Sequence, residues 1–155
     1  MTAKKIKIMD NDDLRNKIES IYEVTNQVIL SEWSMEIAKH IIKITDLDVS
    51  EYPEITESFK VIELWQQGQA GTNDVRKAGF AIHKTAREQG DELTRTVFRI
   101  IGQAVSSGHM KEHSMVASDY AIKVINLMNP NDTDKVDEGR RWQLNTLTQL
   151  LNRPQ

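Results

Sequence analysis

His109-Met110-Lys111-Glu112-His113 spells His-x-x-Glu-His, a spacing that lets two imidazoles on one helical face grip a single metal ion. His83 offers a third nitrogen, and Asp119 or Glu88 an oxygen. A His83/His109/His113 set would then bind metal or a small ligand and support hydrolysis. A second reading needs no metal. The apolar stripe of Tyr120, Ala117 and Val116 continues backwards onto His113 and His109, which turns both rings toward the interior. A buried imidazole there needs a hydrogen-bond partner, because an unsatisfied polar group costs about 1–3 kcal/mol. Gly108 directly before the motif predicts a helix start, leaving His109 off the regular helix. No P-loop, dinucleotide fingerprint, His-Glu-x-x-His or Gly-x-Ser-x-Gly occurs, so no catalytic residue, resident metal or cofactor is assigned.

Other polar residues fall where side chains usually pack. His83 and Arg87 lie four apart on a predicted helix and can present an imidazole and a guanidinium to an anion or a carboxylate. Gln103 adds polar content at the same end of the chain's fold. Arg140 interrupts an apolar stripe between Val136 and Leu144, and a buried Arg is tenable only when paired. Asp119, beside Tyr120, is its first candidate partner; snorkelling toward solvent is the alternative. Trp142 falls off that stripe and reads as a rim residue, a common type at interfaces.

The elements that must position these groups are helical throughout. Leu14, Ile18, Ile21, Thr25 and Val28 recur at steps of three and four, with a break expected at Ser31. Trp33, Ile37, Ile41 and Ile44 form the next stripe, either as a second helix or as one helix bent near Ser31. Pro53 marks a helix start and Gly68 a stop. Thr72 or Asn73 is expected to cap the following helix, which carries Val75, Ala78, Gly79, Ile82 and Ala86. Asp91 begins a fifth, the segment around His113 to Leu127 a sixth, and Asp132 or Thr133 the last. No segment keeps the period-two alternation of β-branched residues that a strand needs. The expected fold is all-α: one antiparallel bundle or stack of six to seven helices over residues 1–155, with 1–11 a candidate disordered tail.

Composition narrows the function classes. Among 155 residues there is no Cys, which excludes a disulfide framework, Cys-ligated zinc and thiol chemistry, and fits a cytoplasmic location. No apolar run approaches the ~18 residues of a membrane span, so no membrane association is expected. Twenty basic residues face 23 acidic ones, without the basic stripe of a nucleic-acid binder. The bias is local: Asp46, Asp48, Glu51, Glu54, Glu57 and Glu63 oppose only Lys60. That segment, with Glu51, Glu54 and Glu57 at its centre, is either a solvated face or a docking surface for a basic partner.

Four segments carry a family resemblance. Ile101-Gly102-Gln103-Ala104-Val105-Ser106-Ser107-Gly108-His109, then His113 and Tyr120-Ala121-Ile122-Lys123, is similar to the Imm-five-like all-helical family of bacterial immunity proteins. Trp33-Ser34-Met35-Glu36-Ile37-Ala38-Lys39-His40, the stretch Ala78 to Arg87, and Arg141-Trp142-Gln143-Leu144 resemble it as well. Arg141 and Gly108 depart from the pattern, which expects an acidic residue before the Trp and a bulkier small residue before the His. The resemblance implies an all-α, non-catalytic protein of a polymorphic toxin (toxin–antitoxin) system. Its expected partner is a cognate toxin domain, which it binds and neutralises. A structural or adaptor role is the further alternative, and a homodimer is the oligomer considered.

Overall fold

A computed structural model describes residues 2–154, and among them seven α-helices and no strand. They are α1 (Asp12–Glu23), α2 (Gln27–Thr45), α3 (Pro53–Gln66), α4 (Thr72–Arg87), α5 (Glu92–Ser106), α6 (Glu112–Met128) and α7 (Thr133–Leu151); a single 3-10 turn, Val49–Glu51, precedes α3. The fold is all-α, as the periodicity predicts.

Side-chain caps set most helix starts. Asn11, Asn26, Asp91 and Asp132 each accept the amide N–H three residues on, satisfying donors that have no partner within the helix. The first break is not at Ser31. It falls at Val24–Asn26, where Asn26 caps α2, and Ser31 lies buried inside that helix with its hydroxyl donating to the Val28 carbonyl. Neither Thr72 nor Asn73 caps α4. Gly71 holds that position, and its N–H donates to the Asp74 carboxylate at 3.0 Å. Gly68, at φ +76°, ends α3 in the left-handed region that a residue with a Cβ adopts at a cost.

Helix α5 is the axis of the molecule, packed against α4, α6 and α2 and touching α3. Val97, Phe98, Ile100, Ile101, Ala104 and Val105 are sealed there with Trp33, Ile37 and Ile41 of α2. Each such aliphatic or aromatic side chain contributes about 1.5–3 kcal/mol by leaving water. Helix α7 closes the other side against α2, α6 and α1.

Residues 2–11, read from sequence as a candidate disordered tail, are docked; Met1 lies outside the described residues. Thr2, Lys4, Ile6 and Ile8 turn inward while Ala3, Lys5 and Lys7 are exposed, an extended alternation. Ile8 and Met9 pack on Ile122, Ile125 and Val136. Asn126 binds both backbone groups of Met9, accepting its N–H at 2.8 Å and donating to its carbonyl at 3.1 Å.

Candidate functional site

The strongest electrostatic feature is buried. Arg140 projects from α7 with a side chain 0% exposed and forks Asp10, Nε and Nη2 each 2.8 Å from a carboxylate oxygen. The same Nη2 donates to Asp119 of α6 at 2.7 Å, and Nη1 donates to Gln143 Oε1 at 2.9 Å. Arg15 of α1 closes on Asp119 from the other side with two 2.9 Å bonds and approaches Glu19 at 3.6 Å. Lys4 reaches Asp10 at 3.3 Å. Three cations thus meet three anions, and among the described residues no buried side-chain nitrogen or oxygen lacks a partner. Burial opposes charge on Asp10, but the Arg140 fork, the Asn11 N–H and Lys4 outweigh it and hold that carboxyl below its ordinary range.

This cage corrects two assignments. Arg140 has Asp119 as its partner, yet both are enclosed, so neither is presented to a binding partner. Their role is to join α1, α6, α7 and the N-terminal segment. Asp10 and Arg15 complete the cage from outside the stretch where the sequence pattern points.

The histidines form a strip across α4, α5 and α6. His113 Nδ1 lies 2.7 Å from Gln103 Oε1; an amide oxygen only accepts, so Nδ1 carries the proton. His83 Nδ1 lies 3.4 Å from Arg99 Nη1, and a guanidinium only donates, so that nitrogen is the acceptor. The His83 ring lies flat on Gly102: a Cβ there would sit 2.6 Å from Cε1. His109 stands in the turn before α6, its ring centroid 6.0 Å from that of His113. The three rings do not converge. Among the described residues no group of three His, Asp or Glu side chains is placed to hold a metal ion, so the His83/His109/His113 metal set is withdrawn. Of His109 and His113, expected to face the interior, both are half-buried, and His113 has the hydrogen-bond partner that such a position needs.

Burial, then Arg99, His113 and Arg87, push His83 down to about 4. Burial, with His109 beside it, also lowers His113 despite the opposing Glu112. An unfolded histidine titrates near 6.5. Between about pH 6.5 and 4 the unfolded chain therefore takes up a proton that folded His83 refuses, and stability falls with pH across that window. Urea unfolding followed from pH 7 to 4.5 should show this decline, and His83→Asn should flatten it. Equal pH slopes in the two proteins would contradict the assignment.

The remaining predicted residues are separate from the strip. Trp142 is half-buried and stacks on His40, centroids 4.0 Å apart. It borders a groove of about 390 Å³ with Ile44, Ile125 and Met128. Tyr120 is half-buried against the core. Arg87 is exposed. Glu51 and Glu57 are exposed, and Glu54 accepts a hydrogen bond from Thr85 at 3.2 Å. None of the six acidic residues from Asp46 to Glu63 has a salt-bridge partner among the described residues, so that face keeps its charge. Arg99, which the sequence pattern does not single out, proves to be the guanidinium closest to His83.

No curated protein and no solved structure matches the chain. A family model, Imm-5 like putative immunity protein, matches residues 20–150 and so spans the helical body from the end of α1 to the end of α7. The chain belongs to the Imm-5 like putative immunity protein family.

Proposed function

We propose that this protein neutralises a cognate toxin domain by binding it, without catalysis, in the cytoplasm of the producing cell. The observation that carries the reading is the uncompensated acidic face of α3 and the turn before it. Glu54 and Glu57 line a groove of about 310 Å³ with Ser58, Val61, Ala78 and Ala81, where Asp74 and Lys77 also stand, and Glu51 lies exposed in the turn before α3. Carboxylates that no internal cation neutralises accelerate encounter with a basic surface and set its register. Family membership supports an immunity role in general, and the cationic face of a toxin is the partner that this charge suits.

The test joins growth with kinetics. Co-expression with the toxin domain encoded beside its gene should restore growth. Glu54→Lys with Glu57→Lys should slow association about tenfold or more at low salt while leaving the thermal midpoint unchanged. A slowed rate that does not respond to salt would contradict the electrostatic account. Failure of both rescue and complex formation would remove the proposal.

A further inference from the structure

The chain's guanidinium groups differ in what they bond. Arg15 and Arg140 fork buried carboxylates, and Arg153 grips Glu32 at 2.6 and 3.2 Å. Arg99 is different. It is half-buried on α5, and its one hydrogen bond among the described residues goes to a neutral imidazole, His83, at 3.4 Å. A guanidinium has five N–H donors. Because no buried side-chain nitrogen lacks a partner, the unused donors of Arg99 open to solvent.

Its surroundings reinforce the contrast. Arg87, exposed on α4, has no carboxylate partner among the described residues. Arg76, on the same side of that helix, rests on the ring of Phe80, which is 58% exposed. The guanidiniums that act on His83 are Arg99 and Arg87. Gln103 and His113 extend the strip as neutral polar groups, so its positive charge comes from Arg99 and Arg87 on a chain of net charge −3.

We propose that Arg99, oriented by His83 and assisted by Arg87, forms an oxyanion-binding site that receives a carboxylate of a protein partner. A planar guanidinium with free parallel donors matches a carboxylate in a two-bond fork, the geometry that Arg140 already makes with Asp10. Phosphate presents the same oxyanion chemistry. A protein carboxylate is taken as the ligand because it is the group that Arg15 and Arg140 already fork within this chain. The proposal rests on the partner-binding reading only for the source of the carboxylate, and it involves a different face.

The experiment is an NMR titration of the full chain at pH 7, following the Arg99 Nε–H and the His83 and His113 ring signals. The probes are an acetylated, amidated tetraglutamate peptide, inorganic phosphate, and a short single-stranded oligonucleotide. The peptide should move all three sets of signals together and saturably, and raising salt from about 50 to about 300 mM should weaken it. Arg99→Gln should weaken the peptide about tenfold. Arg87→Gln, a change on the exposed face of α4, should weaken it about threefold and stands as the test should the first variant not fold. Tighter binding of phosphate or oligonucleotide than of peptide overturns the choice of a protein carboxylate. No shift with any probe, or shifts unaltered in both variants, overturns the site. Peptide binding that persists where toxin rescue fails would leave the site standing and remove the toxin reading alone.

Discussion

Arg140→Ala is expected to lower the unfolding free energy by about 3–5 kcal/mol, the range for breaking a buried ion pair by removing one partner. The substitution takes a fully enclosed guanidinium from between Asp10 and Asp119 and leaves their carboxylates facing each other. Arg15 still serves Asp119, but Asp10 keeps Lys4, at 3.3 Å, as its one salt-bridge partner among the described residues. The N-terminal segment should loosen first, since Asp10 and the Asn126 clamp on Met9 are its main polar anchors. Urea unfolding would measure the loss, and limited proteolysis should cut within residues 2–11 before it cuts the helices. A control separates charge from packing. Asp10→Asn keeps the volume but removes the anion, and its penalty should shrink as pH falls through the depressed pKa of Asp10. That carboxylate's contribution is present above its unfolded value near 4 and is lost below its folded one. A loss under about 1 kcal/mol for Arg140→Ala would show that the cage is incidental to the fold.

Trp33→Ala should cost about 3–5 kcal/mol, the range for truncating a large buried aromatic. Trp33 is fully buried on α2, and its indole N–H donates to the Gln143 carbonyl at 2.9 Å, which ties α2 to α7. Gln143 in turn accepts from Arg140 and donates to the Ser118 carbonyl at 3.0 Å, so the apolar core and the ion cage share a support. Trp33→Phe retains much of the packing and removes the donor. It should cost roughly half as much, because a buried carbonyl then loses a partner. Denaturant midpoints compared at constant m-value would decide this. Equal losses for Ala and Phe would mean that the hydrogen bond, rather than the volume, dominates.

Periodicity made the helical body readable. Leu14 and Ile18, Trp33 to Ile41 and Leu144 to Leu147 turn inward at the expected steps, and Asp91 and Asp132 cap as their types suggest. The Val24–Asn26 break was harder, because Thr25 continues the apolar spacing and only Asn26 marks a cap. The N-terminal segment escaped for a different reason. Its stability comes from contacts more than a hundred residues away, with Asn126 and Arg140, which local patterns do not encode. The signal present was the alternation Lys4-Lys5-Ile6-Lys7-Ile8, too short and too charged to stand out as extended structure. Pairing of Arg140 with Asp119 was legible, since an Arg in an apolar stripe requires a nearby anion. Gly108 already marked His109 as lying off the regular helix, and His109 does precede α6, so the helical geometry behind that metal spacing is absent.

Neutralisation by stoichiometric binding, as proposed, is tested most directly by titrating a fixed amount of a candidate cognate toxin domain with this protein. Residual toxin activity should fall linearly and vanish near one molar equivalent, as expected when a tight complex forms and nothing turns over. Silencing at a small fraction of an equivalent would point to catalysis, and activity that survives an excess would contradict an immunity role against that toxin.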